Sequence, residues 1–176
     1  MSFSEFKIVQ WITEEVEEFA RYWRSLPVTN AIPRQSDFDP AAIRRLLPGI
    51  AIYEYRNENE FVCRLMGTGL VDNFGQDITD QNILDMWGDA DRDVASIMLR
   101  KMLEKPCGVI ARTVGHTASG ATIRSVSVGF PLRDKDDVAN RLMFQTNNIE
   151  YSGSRIARED KVERIEVEQQ VLLSLL

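Results

Sequence analysis

The chain has 176 residues, of which 44% are hydrophobic, enough to bury one compact core without disulfides or metals to staple it. Its formal net charge of −6 excludes a nucleic-acid footprint, which needs a basic face to neutralise phosphates; Arg44-Arg45 and Arg100-Lys101 are isolated pairs, not a stripe. No apolar run approaches the ~20 residues that span a bilayer, acidic residues interrupt the N-terminus where a secretory leader would be apolar, and Cys63 and Cys107 read as small buried hydrophobes of a reducing compartment, so the expectation is a soluble cytoplasmic protein with neither a nucleic-acid nor a membrane partner.

The first predicted element is a helix over residues 3–26, opened by Ser2 and Glu5 at capping-box spacing. Val9, Ile12, Val16, Phe19, Trp23 and Leu26 recur at spacings of 3, 4, 3, 4 and 3, one apolar stripe close to a heptad seam. Such a stripe covers the domain's own sheet or pairs with a second copy of itself. The second case makes Val9, Ile12, Val16, Phe19 and Trp23 a homodimer interface. Pro27 ends the helix and residues 27–38 form a polar loop. Asp39-Pro40 then opens a short helix, with Asp39 as N-cap and Pro40 where its missing N–H costs nothing, and Pro48-Gly49 stops it.

From residue 50 the apolar period changes from helical to alternating. Residues 50–56 and 61–66 are two strands joined by a hairpin at residues 57–60. Short helical turns punctuated by Gly69, Gly75 and Gly88 occupy residues 69–88, and Asp89 or Asp91 caps a longer helix over residues 90–104. Strands follow over residues 107–117, 121–132 and 140–149. The tail from Arg155 is read as helix, with a strand through residues 164–167 as the rival. The fold class is therefore α+β: a five-stranded antiparallel sheet with short helices and one longer helix on one face, plus an N-terminal amphipathic helix.

This order, with particular residues, resembles the PAS domain family, and more narrowly its stand-alone alphaproteobacterial type. The resemblance begins at Tyr22-Trp23-Arg24-Ser25-Leu26 and runs through Pro33-Arg34-Gln35-Ser36-Asp37-Phe38-Asp39-Pro40, Leu46-Leu47-Pro48, Arg64-Leu65-Met66-Gly67-Thr68, Phe74-Gly75 and Phe130-Pro131-Leu132. It divides the chain into an N-terminal helical cap (1–48), a PAS-like domain (49–150) and a C-terminal tail (151–176). It implies a sensory or protein-interaction module of bacterial signalling rather than an enzyme. Such a module acts through a signalling partner such as a kinase, with a small-molecule ligand held inside. Fold alone does not select the function, so two rivals stand beside it: a small isomerase or cyclase with a cone-shaped cavity, and a ligand-free scaffold with a plugged core. The enzyme needs a buried carboxylate of raised pKa, for which Asp72 is the candidate.

In such a core Phe74, Trp87, Met98 and Met102 surround the cavity. Arg124 shares strand parity with Val126, Val128, Phe130 and Leu132, which makes it, with Arg112, a candidate anchor for an anionic ligand; a strand-end arginine that reaches solvent along its stem gives the same pattern. Arg64 is read as a structural clamp to Asp37 or Asp39, in company with Arg34, because a guanidinium fork suits a carboxylate. No cofactor and no metal is expected. The longer helix holds no axial haem ligand, neither cysteine falls in the short-helix segment where a flavin photoadduct forms, and His116 with two distant cysteines makes no zinc site.

Overall fold

A computed structural model of the chain describes residues 13–29, 32–153 and 160–175. Helix α1 spans Glu14–Ser25. Its start is set by Thr13, whose hydroxyl accepts the Val16 N–H at 3.3 Å, satisfying one of the helix's orphan donors. The Ser2–Glu5 box, and Val9 and Ile12 of the stripe, lie outside the described residues. Val28–Thr29 (β1) and Ile32–Pro33 (β2) then form a small hairpin inside what the sequence presents as plain loop. Three short 3₁₀ turns follow, at Gln35–Asp37, Pro40–Ile43 and Leu47–Gly49. Asp39 caps the second as expected, its carboxylate accepting the Ala41 N–H at 2.9 Å.

Strands β3 (Ile50–Asn57) and β4 (Glu60–Met66) make the expected hairpin. Helix α2 (Thr68–Phe74) ends on Gly75 at φ 69°, the left-handed conformation that suits glycine. A 3₁₀ turn at Ile83–Met86 leads to helix α3 (Asp89–Glu104), whose N-cap is Gly88 rather than an aspartate side chain. Strands β5 (Cys107–Thr117), β6 (Thr122–Arg133), β7 (Ala139–Ser152) and β8 (Val162–Ser174) complete the described chain.

The tail is the main correction to the sequence reading. It is a strand, β8, which pairs antiparallel with β5 over nearly its whole length and makes the sheet six-stranded, in the order β4-β3-β7-β6-β5-β8. Its apolar residues are spaced too loosely for a helical face, and the open edge of β5 offers the backbone groups of Val162–Ser174 a full set of partners.

Both faces of the sheet are covered, so both strand parities are interior. On one face α1 lays Val16, Phe19, Ala20 and Trp23 against Val126, Val128, Phe130, Leu132 and Met143. On the other, α3 and the short helices bury Ala95, Met98, Leu99 and Met102 against Val109, Ile123, Leu142 and Phe144. Of the two readings open for the N-terminal stripe, Val16, Phe19 and Trp23 serve the first: they are buried against the chain's own sheet.

The scattered motif residues meet in space. The Trp23 ring stacks on Phe130 at 4.7 Å and its indole N–H donates to the Pro131 carbonyl at 3.2 Å. The Tyr22 hydroxyl accepts the Asp39 N–H at 2.7 Å. At Gly67 the backbone runs so close to Leu47-Pro48 that a Cβ would stand 2.3 Å from the Leu47 carbonyl oxygen.

Candidate functional site

Between the second face and its helices the packing leaves a cavity of about 100 Å³. Its roof is apolar, formed by Leu70 and Phe74 of α2, Ile83 and Trp87 of the following turn, and Met98 and Leu99 of α3. Its floor is the reason for the space. Ala111, Thr113 and Gly115 on β5 and Ser125 and Ser127 on β6 are small, so their side chains do not reach the roof. Thr146 and Asn148 of β7 continue the floor, Tyr53 and Met66 close one side, and Val162 and Ile165 of β8 close the other.

The floor is polar and cross-linked. The Ser125 hydroxyl donates to the Asn148 side-chain carbonyl at 2.8 Å, and the hydroxyls of Ser127 and Thr146 bond each other at 2.8 Å. The Asn148 amide donates to the Tyr151 hydroxyl at 2.5 Å, which donates to the Asn73 side-chain oxygen at 3.1 Å. That chain ties β7 to α2 at the cavity's edge. Asn73, Thr146 and Asn148 line both the cavity and a more open groove of about 350 Å³ beside Gly69 and Tyr151, so this side is where the interior comes nearest to solvent. Tyr53 and Thr113 make no side-chain hydrogen bond among the described residues, and burial pushes the Tyr53 phenol far above its usual pKa. The Trp87 indole N–H is sealed from solvent without a partner among the described residues.

Among the described residues no Asp, Glu, Lys, Arg or His lines the cavity. The arginines named as ligand anchors stand on the opposite face. Arg112 pairs with Glu168 at 2.8 Å, and Arg124 pairs with Glu168 at 2.9 Å and with Glu150. Their parity is that of Val126, which faces α1. Phe74, Trp87 and Met98 line the cavity, whereas Met102 is buried in the core behind it. Asp72 is exposed and outside the lining, so the buried carboxylate required by an isomerase or cyclase is not supplied there. The space is not plugged by large side chains, as the scaffold reading requires.

The clamp is also rearranged. Arg64 pairs with Asp80 at 2.7 Å and Glu54 at 3.4 Å, not with Asp37 or Asp39. Arg34 instead pairs with Asp137 at 2.8 Å, beside the buried Arg133, whose guanidinium also reaches Asp137 and the Ile32 carbonyl. Asp37 accepts the Arg34 backbone N–H at 3.3 Å. The clamp thus fixes the loop after β2 to the β6–β7 turn, far from the cavity. His116 lies at 3.0 Å from Glu166. Neither cysteine lines the cavity; burial raises the Cys63 thiol to about 11, which keeps it protonated and unreactive at neutral pH.

A family profile described as PAS domain matches residues 13–144, three quarters of the chain. The chain belongs to the PAS domain family. PAS domains generally serve sensory signalling, and this one adds to the matched span the strand β8, which supplies one wall of its cavity. No curated protein matches the chain. Solved structures similar to it include a light-oxygen-voltage domain studied with a flavin analogue, at 14% identity and TM-score 0.49 over 62% of this chain and 83% of that one. The LOV protein of Rhodobacter sphaeroides matches at 11% identity and TM-score 0.48, over 66% and 71%. A PAS domain from Colwellia psychrerythraea matches at 11% identity and TM-score 0.46, over 63% and 98%. Among the described residues, no helix of this PAS domain is long and apolar enough to cross a membrane.

Sequence reading missed the floor of the site and its far wall. Ser125, Ser127 and Gly129 alternate with Val126, Val128 and Phe130, and attention goes to the parity that carries the large side chains and Arg124. Once both faces are covered, the parity with small side chains is the one that leaves room.

Proposed function

We propose that this protein is a sensory regulator of bacterial signalling that takes up a small metabolite in the cavity and passes its occupancy to a protein partner such as a kinase. The observation that carries the reading is the shared wall: Val162 and Ile165 of β8 line the same cavity as Phe74 and Trp87. A ligand that fills the space presses on a strand at the sheet's edge, where a partner has access. At about 100 Å³ the space is below the ~300–1,000 Å³ of sites for drug-sized ligands, so the metabolite is smaller than a flavin or a haem.

Native mass spectrometry of freshly purified protein tests this. A retained mass of a small organic molecule, lost on denaturation, is the expected result. An apo mass that stays apo through a screen of small uncharged metabolites would contradict the sensor reading.

A further inference from the structure

Resting on the reading of the cavity as a ligand site, we propose that its ligand is an uncharged molecule of about the size of a five-membered ring, carrying a hydrogen-bond acceptor, such as a carbonyl oxygen, that receives the Tyr53 hydroxyl proton. Three observations converge on this class.

The first is the absence of formal charge from the lining among the described residues. A buried ion without a counter-charge or a dense set of hydrogen bonds is strongly disfavoured in such a space. The nearest arginine cluster, Arg112 and Arg124, is spent on Glu168 and Glu150 across the sheet.

The second is the division of polar groups. Ser125, Ser127, Thr146 and Asn148 bond one another, so the floor is largely self-satisfied. Tyr53 has a ring that packs against Phe144 at 5.7 Å and a phenol with no partner. Tyr53 is partly buried and lines the cavity; a hydroxyl shielded from bulk water is almost always paired, and here, among the described residues, that partner is left to the occupant. Being desolvated, the phenol is neutral and donates. Thr113, three strands away across the sheet order β3-β7-β6-β5, offers a second hydroxyl at the far end.

The third is size. A cavity of about 100 Å³ is of the same order as the ~150 Å³ apolar cavity that holds benzene, which limits the occupant to about six heavy atoms.

Three isosteric probes of six heavy atoms separate the contributions: cyclopentanone, methylcyclopentane and cyclopentylammonium. Each is titrated into the full chain and followed by the backbone amide NMR signals of Thr113 and Ile165. Cyclopentanone is expected to bind about tenfold or more tighter than methylcyclopentane, because only the ketone satisfies the buried donor, and cyclopentylammonium is expected not to bind. Tyr53→Phe keeps the ring and its packing while removing the hydroxyl, and is expected to erase the ketone's advantage without weakening methylcyclopentane. Equal affinity of ketone and hydrocarbon in the parent protein, or a ketone advantage that survives in Tyr53→Phe, overturns the inference while leaving the cavity a ligand site. Tighter binding of the ammonium overturns the assignment of an uncharged ligand. Failure of all three to bind removes the cavity reading itself.

Discussion

Trp87 and Ile165 are neighbours in a parallel β-bridge, and the Gly88 N–H donates to the Ile165 carbonyl at 3.3 Å. Their side chains line the same cavity. One pair of residues therefore lines the cavity with its side chains and meets strand β8 through its backbone. The Gln76 amide adds a hydrogen bond to the Val162 carbonyl at 3.0 Å, and at Gly75 a Cβ would meet the Asp160 carbonyl oxygen at 3.0 Å. The segment from Gln76 to Gly88 is thus hydrogen-bonded to β8 at two places, Val162 and Ile165, and Gly75 packs closely on the residues just before β8.

Ile165→Ala removes buried methyl groups from the cavity wall and from the contact that anchors β8. A loss of about 2–4 kcal/mol is expected for a buried aliphatic truncated to alanine, measured by urea denaturation. An unchanged midpoint would show that β8 contributes nothing to the fold's stability.

Tyr151 is 52% exposed, yet its hydroxyl links Asn148 to Asn73 across the side where cavity and groove approach each other. Tyr151→Phe cuts that link without changing the cavity walls. Stopped-flow tryptophan fluorescence with cyclopentanone is expected to show faster association and faster dissociation with little change in affinity. A change in affinity at constant association rate would assign Tyr151 to binding rather than to access.

Val16 is fully buried against the sheet, so Val16→Glu places a carboxylate in an apolar core. The expected cost is roughly 4 kcal/mol or more, seen as a fall in melting temperature that is the same at low and high protein concentration. A folded variant with altered association alone would restore the seam reading of the N-terminal stripe.

Glu168 reports on how β8 is fixed at its exposed side. The Arg124 guanidinium, with Arg112 beside it, holds the Glu168 carboxyl below its ordinary value of 4.5. A carboxyl depressed in the folded state contributes stability that is present above its unfolded pKa and lost as pH falls through the folded one. Glu168→Gln is therefore expected to be less stable at neutral pH and to show a shallower loss of melting temperature below about pH 4.5. Parallel acid limbs in parent and variant would show that this pair carries no pH-linked stability.

Apart from the small β1–β2 hairpin, the elements from residue 14 to residue 149 are legible in the sequence because their periods are local: 3.6 in α1 and α3, 2 in the strands, with Gly75 and Pro27 as stops. The site is less legible. Phe74, Trp87 and Met98 are found because large apolar residues on or beside helices that cover a sheet must face a core. Ser125, Ser127 and Thr113 are not, since a small residue announces a void only when the opposite wall is known. Arg112 and Arg124 mislead for a related reason. Strand parity says which residues share a face, but not which face holds the cavity, and the partners that claim these arginines, Glu150 and Glu168, come from β7 and a strand read as helix. Tyr22 with Asp39, and Trp23 with Pro131, explain why the motif residues occur together, as contacts that lock α1 and the loop after β2 onto the sheet.

Hydrogen–deuterium exchange across Val162–Ser174, with and without saturating cyclopentanone, shows whether occupancy of the cavity reaches β8. Ala111→Leu, which fills the floor of the cavity, serves as the control. Altered exchange is expected at Val162–Ile165 and beside Trp87 in the parent protein, with no ligand effect in Ala111→Leu. Saturation of the parent with unchanged exchange along β8 would show that occupancy does not reach the strand.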